Sequence, residues 1–522
     1  MKNSLKQLLS LLLALAVVFV ASSCGDDDGN DPVDTTAAPA VTTPSASTTT
    51  AGVAVNITFS VTTAGGYAST AISNTVGGTA TVSSEPAAGA TSGDVVVAFT
   101  AGDMAGAGAV TITVTDSEGE TDDATAVITI EAVQTTFRKS GVLGDETWTT
   151  GSIIILEDRV TVPDGVTLTI EPGVVVKGEV GAGANASALL IARGGTLNAN
   201  GTAASPIIFT TIADEIMPGE IASPNLAPDV QGLWGGLIIL GRAPISADAD
   251  AVQIEGIPPS DTNGLYGGTA NDDNSGTIRY ISIRHGGTNI GEGNEINGLT
   301  LGGVGNGTTI EFVEIIGNQD DGIEPFGGSV DVTNLLVWNA GDDSFDCDQA
   351  YTGTIDNFIG ILGGNSDHGL ELDGPEGSAD GAYTLQNGSI KGKGAGSSSG
   401  GEYADLRSDA KCTLNNIYFF GFSENSDFEL DNNGVANNYL QGEITLTNLQ
   451  FNVSHLSEGN LIIADIVVEK ADTDEGETLL DIFTQMPLPT SVEVVTAPTV
   501  GADKAPFASW TWADAAGELA DF

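Results

Sequence analysis

Ile310-Glu-Phe-Val-Glu-Ile leads to Asp320-Asp-Gly-Ile-Glu, Val332-Thr-Asn-Leu-Leu-Val to Asp342-Asp-Ser-Phe-Asp, and Ile355-Asp-Asn-Phe-Ile-Gly-Ile to Asp367-His-Gly-Leu-Glu-Leu-Asp. In each copy an alternating apolar segment is followed, ten to twelve residues after its start, by an acidic one. Whatever holds the apolar segments in register therefore also stacks the acids. The chain reads as a repeat protein carrying a column of carboxylates.

Working outward, the apolar half recurs with starts at Ile278, Ile310, Val332, Ile355, Leu385, Leu414 and Leu446, spaced 32, 22, 23, 30, 29 and 32 residues. A unit of about 22 residues with loops inserted in some copies is the pattern of a solenoid. Each unit is short, alternates with period two and is bounded by Gly, Asn and Asp, so it predicts strands and turns rather than helices. Leucine-rich repeats would need a recurring Leu frame and a helical segment, and neither is present. Asn334, Asn357, Asn387, Asn416 and Asn448 each stand third in their unit. Asn tolerates the left-handed conformation and bonds its neighbours in tight turns, so a fixed phase predicts a stacked corner.

Composition limits the partners. The 522 residues include 70 Asp plus Glu against 16 Lys plus Arg, a formal charge of −54. Such a surface disfavours nucleic acid and anionic lipid, and favours cations.

At the start, Lys2 and Lys6 precede an apolar run from Leu8 to Ala21, and Ser22-Ser-Cys24 follows. The run is short for a membrane span and has the layout of a secretion signal. These residues resemble a bacterial lipoprotein signal, which implies lipidation at Cys24 and a stable outer-membrane anchor. The acids of Gly25-Asp-Asp-Asp-Gly-Asn-Asp31 resemble the surface-export signal of Bacteroidota lipoproteins, implying a location facing the cell exterior. Residues 1–24 are thus expected to be a signal peptide and 25–51 an acidic, Thr/Pro/Ala-rich flexible tether.

Residues 52–133 hold five alternating segments, including Val95-Val-Val-Ala-Phe and Val110-Thr-Ile-Thr-Val, as in a small β-sandwich. The stretch resembles the immunoglobulin-like modules of bacterial surface proteins and is expected to act as a spacer. From residue 136 to 470, short strands with Gly or Pro corners predict a right-handed parallel β-helix, making the chain all-β. The entry, with Leu168-Thr-Ile-Glu-Pro-Gly, resembles the pectate-lyase-like superfamily. Together with Trp234-Gly-Gly-Leu, Asp320-Asp-Gly-Ile-Glu-Pro-Phe-Gly-Gly and Trp510-Thr-Trp512, it is similar to a group of large Bacteroidota outer-membrane lipoproteins. That resemblance covers residues 136 to the end and implies fold rather than chemistry. Residues 471–522 are expected to cap the end of the coil, with Trp510 and Trp512 against it. The Gly-, Asn- and Asp-rich stretch between Trp234 and His285 is expected to be a long loop of the kind that carries binding.

Between His285 and Lys391 there are eighteen Asp plus Glu and no Lys or Arg. Adjacent rungs lie roughly 4.8 Å apart, so acids in register approach closely. Three outcomes are open: solvated turns, a hard cation such as Ca²⁺ held by Asp321, Glu324, Asp343, Asp346, Asp367 and Glu371, or carboxyls that raise one another's pKa for catalysis. The catalytic outcome has a named form. Asn318-Gln-Asp320-Asp321, Asp342-Asp343, Asp367-His368-Gly369 and Lys391-Gly-Lys393 are similar to the successive motifs of polygalacturonase-type hydrolases. That resemblance implies Asp320, Asp342 and Asp343 as acid and water-activating base, His368 as their orienting partner and Lys393 as a holder of a substrate carboxylate. The sequence departs from those motifs at Lys391, where the family has Arg, and at Asp367, where it has Gly.

The expected role is therefore structural or binding, toward an extracellular polysaccharide or a surface protein, by a monomer. A polygalacturonase-like inverting glycoside hydrolase is the alternative. Cys347 and Cys412 are expected to be buried thiols, and His285 and His455 turn or core residues.

Overall fold

The computed structural model describes residues 37–131, 136–183, 186–289, 296–394, 401–456, 461–473 and 475–522. Cys24, with the signal and the acidic run behind it, lies outside the described residues. The chain forms two compact units that divide between Ala132 and Val133.

The first unit is a sandwich of two four-stranded sheets. Alternation decides it: Ile57, Phe59 and Val61 face Val95, Val97 and Phe99 from one sheet and Val110, Ile112, Ile128 and Ile130 from the other, all buried. Its edge corrects one expectation. Ala40–Thr42 pairs with Ala54–Thr62, and Ser47–Thr50 pairs with Thr121–Glu131, so part of the expected tether belongs to the sandwich. Threonine suits strands, and the Val41 amide is fixed by Asp122, which is how a stretch without its own core becomes ordered.

The second unit is a right-handed parallel β-helix whose 24 strands form one continuous wound sheet. Ile278, Ile310, Val332, Ile355, Leu385, Leu414 and Leu446 stand in register on successive rungs and are fully buried. Each such side chain contributes about 1.5–3 kcal/mol on leaving water. The third position of each rung is the expected corner. Asn334, Asn357, Asn387, Asn416 and Asn448 all have φ between 52° and 60°. Asn357 Nδ2 donates to Asn334 Oδ1 at 2.6 Å and Asn416 Nδ2 to Asn387 Oδ1 at 2.6 Å. Two rungs earlier the same corner is made by Tyr280 and Phe312, stacked with centroids 4.3 Å apart.

The C-terminal part differs from expectation in two ways. Val467–Glu469 and Val492–Val495 pair onto the preceding rungs, so the solenoid continues beyond residue 470 to Val495. Among the described residues between 471 and 490, one helical turn forms, Ile482–Gln485. Trp510 and Trp512 do not close the end of the coil. They pack with Phe507 and Leu519 on the outer face of three internal rungs, against Ile316, Leu336, Trp338, Ile359 and Ile361. An outward apolar face on those rungs needs cover, and the tail supplies it. At the end of the core sits the helix Asn433–Gln441, which buries Val435, Ala436 and Tyr439. No described helix is long and apolar enough to cross a membrane.

Candidate functional site

On one face of the solenoid the strands are short: Ala188–Ile191, Leu237–Leu240, Leu299–Gly302, Ile323–Phe326, Phe345–Cys347, His368–Leu372, Glu402–Leu406, Phe428–Leu430 and Val467–Glu469. Their parallel pairing sets one outward column. Its order is Leu190, Ile238, Thr300, Glu324, Asp346, Glu371, Asp405, Glu429 and Val468. Five consecutive rungs thus present a carboxylate, between apolar ends. Strand alternation is the cause, because Phe345 and Cys347, Leu370 and Leu372, and Phe428 and Leu430 point into the core and turn the acid between them outward.

Pointing outward does not expose these acids. Glu324, Asp346 and Glu371 are each 7% exposed, and Asp405 is 9%. The loop after Leu240 folds over the first rungs, where Ile245, Ile254, Ile257 and Tyr266 cover Leu190, Ile238, Leu240 and Phe326. Tyr266 Oη donates to Gln349 Oε1 at 2.9 Å, fixing that wall beside the column. A cleft of about 190 Å³ remains, lined by Glu324, Asp346, Asp348, Asp373, Glu376, Arg407 and Ser408. Glu376 also lines a larger hollow of about 410 Å³ between the loop and Gln349.

Charge is balanced unevenly along the column. Arg407 reaches Glu371 and, with Nε at 2.9 Å, Asp373. Lys470 pairs with Glu429 and, at 3.3 Å, with Asp427. His368 lies against Asp343 at 2.8 Å and Glu371 at 3.4 Å. Burial alone would make His368 a weaker base, but the hydrogen bond and charge of Asp343 outweigh it and lift the imidazole to about 9. Asp321, Glu324 and Asp346 have no ion-pair partner among the described residues, and burial followed by the charge of surrounding acids, Glu324 for Asp321 and Asp346 and Glu255 for Glu324, pushes all three carboxyls well above the usual range. Burial likewise carries Asp348, Glu402 and Asp405 to about 7 and Asp373 to about 6.

Most of the expected site residues come together. Oxygens of Asp320, Asp321 and Asp342 lie within 4.8 Å of one another, as do those of Asp321, Glu324 and Asp346, and of Asp346, Glu371 and Asp373. Asp343, His368 and Glu371 form a similar group. Asp343 is tied down by its neighbours, since its Oδ1 accepts from both the His368 amide and its ring. Asp367 is the departure. It is exposed and supplies no oxygen to these groups, because it precedes the strand on the solvent side of the turn; only its charge reaches His368 and Lys393. Lys391 is held by Glu518 at 3.3 Å and Asp521 at 2.8 Å on the C-terminal tail. Cys347 and Cys412 are free and buried, and His285 and His455 bind backbone carbonyls.

Asp405, Glu429 and Arg407 were missed by reading the sequence; Arg407 lies beyond the stretch from His285 to Lys391 that holds no Lys or Arg, and folds back onto its acids. The signal was present as a triplet, an acid between two core residues: Phe345-Asp-Cys, Leu370-Glu-Leu, Ala404-Asp-Leu and Phe428-Glu-Leu. The 34-residue spacing from Glu371 to Asp405, against 22 and 25 on the two rungs before, hid its continuation.

An all-oxygen donor set that is buried and partly uncompensated fits a hard cation such as Ca²⁺, which takes six to eight oxygens. It fits inverting hydrolysis poorly, for an inverting pair stands about 6.5–9.5 Å apart to admit water.

No curated protein matches this chain. Among solved structures, a Family 28 exopolygalacturonase of Yersinia enterocolitica is similar at 10% identity, over 69% of this chain and 79% of that one, with a TM-score of 0.14, too low to bear on the site. A family model described as a pectate-lyase like beta helix domain matches residues 142–511, and with that match spanning most of its length the chain belongs to this family.

Proposed function

We propose that this is a non-catalytic binding protein of the cell surface whose acidic rungs hold Ca²⁺ and whose cleft engages an extracellular polysaccharide or a surface protein. Cys24 carries the lipid anchor to the outer membrane, and the sandwich, immunoglobulin-like in its strand pattern, holds the solenoid away from the lipid. The observation that carries the reading is the five-rung carboxylate column, four of whose acids are buried and four of which stand in groups spaced to share a cation. Chelating oxygens at such spacing suit a metal-stabilised scaffold better than an acid and base separated by water.

The hydrolase reading keeps one observation in its favour, the 2.8 Å contact of His368 with Asp343 beside Asp342. Against it stands the charge of the chain, which repels an acidic polymer. Incubating the purified protein with a polysaccharide panel separates the two. Retention without release of reducing ends is expected; release that disappears in Asp342→Asn would make the column an active site.

A further inference from the structure

Among the described residues, four carboxylate groupings and a fifth of Asp343, His368 and Glu371 are close enough to share a cation, and they are not equivalent. Lys470 serves Asp427 and Glu429, while Arg407 and His368 serve Glu371, Asp373 and Asp343. No described Lys, Arg or His pairs with Asp321, Glu324 or Asp346. A second set of atoms marks the same place. Asn297 is fully buried with its Nδ2 on Glu324, yet its Oδ1 has no partner. Asp346 Oδ1 is a second buried oxygen without a donor. Orphaned buried acceptors are costly and call for an ion or a water.

We infer that one divalent cation of the Ca²⁺ class binds between Asp321, Glu324 and Asp346, beside the amide of Asn297, and that Asp343, Glu371 and Asp373 and, further along, Asp427 and Glu429 are neutralised by Arg407, His368 and Lys470. The inference rests on the calcium-binding reading above and assigns it to one place. Three carboxylates and a neutral amide oxygen supply the six to eight oxygens that Ca²⁺ takes, with water completing the shell. Mg²⁺, which demands a tighter octahedron, binds more weakly here. The ion enters from the cleft that Glu324 and Asp346 themselves line.

The test is calorimetric titration of Ca²⁺ into the purified full chain, its Glu324→Gln and Asp346→Asn variants, and Glu402→Gln from the grouping that Lys470 serves. One site per chain is expected, weakened at least about tenfold by either of the first two substitutions and less than about twofold by the third. Both amide variants remove an unbalanced charge, so neither is expected to lower the thermal midpoint in chelator and Glu324→Gln is expected to raise it, which separates lost ligation from lost folding. Binding that survives Glu324→Gln and Asp346→Asn but fails in Glu402→Gln overturns this site and leaves the calcium reading standing. A wild-type chain that takes up no Ca²⁺ overturns both.

Discussion

Glu324 and Asp346 stand on adjacent rungs with carboxyl oxygens within 4.8 Å of each other, although both are acids and both are buried. Two carboxyls so close and so far from water are relieved only if one keeps its proton or a cation lies between them. Without metal, ionisation of the pair is resisted by burial and by repulsion. Glu324→Gln should therefore stabilise the protein in chelator by about 1–2 kcal/mol, read from urea unfolding. A loss of stability in chelator would show that the pair is already satisfied.

The same burial makes stability depend on pH. Asp348, Asp405 and Glu402 are lifted to about 7 by burial. Between an unfolded value of about 4 and that folded value the native state holds protons that the unfolded chain has released, so stability falls as pH rises through this window. His368, whose burial is outweighed by Asp343 and which is lifted to about 9, adds a fall in the same direction from about 6.5 upward. In chelator the thermal midpoint is expected to be higher at pH 5 than at pH 8.5. A profile that is flat or rises over that range contradicts the electrostatic assignment.

Arg407 holds Glu371 and Asp373 together although its own side chain is 42% exposed. Arg407→Ala leaves two nearly buried acids without their cation, while solvent at the guanidinium moderates the loss. A destabilisation of about 1–3 kcal/mol is expected, equal in chelator and in Ca²⁺, because the ion sits on Asp321, Glu324 and Asp346. Denaturant titrations in the two conditions measure it; a smaller loss in Ca²⁺ would mean that an ion reaches this rung as well.

The corner ladder gives a prediction independent of charge. Asn357 has φ 56° and donates Nδ2 to Asn334 at 2.6 Å. Asn357→Ala removes that bond and puts a Cβ-bearing residue without a polar side chain into the left-handed region, at a cost of about 1–3 kcal/mol. Asn357→Gly relieves the backbone and should cost less. If the two substitutions are equal, the hydrogen bond and not the backbone dominates.

Trp512 lies over the buried Arg284, 5.0 Å from guanidinium carbon to ring centre, while the Ala513 amide donates to Glu314 at 3.0 Å. Trp512→Ala opens the buried Arg284–Glu314 ion pair, 3.7 Å across, and the apolar flank to water. A loss of about 3–5 kcal/mol is expected in thermal or urea unfolding.

What could be read in the sequence follows from where each constraint is written. The rung register and the Asn corner are local, each set by a five-residue pattern, and they were legible at Ile310, Val332, Ile355 and Asn357. The column was legible where insertions are short, at Glu324, Asp346 and Glu371, and lost at Asp405 and Glu429 beyond longer ones. Arg407 pairs across 36 and 34 residues with Glu371 and Asp373, and Trp512 packs on rungs some 150–200 residues earlier; such contacts depend on how the coil winds. The expected cap failed for that reason, since nothing in Trp510-Thr-Trp512 says which apolar surface it covers.

The most direct test of the account is the unfolding midpoint of the purified protein at neutral pH, in Ca²⁺ and in chelator. A ligand that binds only the native state stabilises it by about 2.7 kcal/mol at a hundredfold excess over its dissociation constant. The account predicts a midpoint that rises with Ca²⁺ concentration and returns on chelation. A midpoint indifferent to Ca²⁺ would contradict it, leaving the buried carboxyls to be neutralised by their own protons.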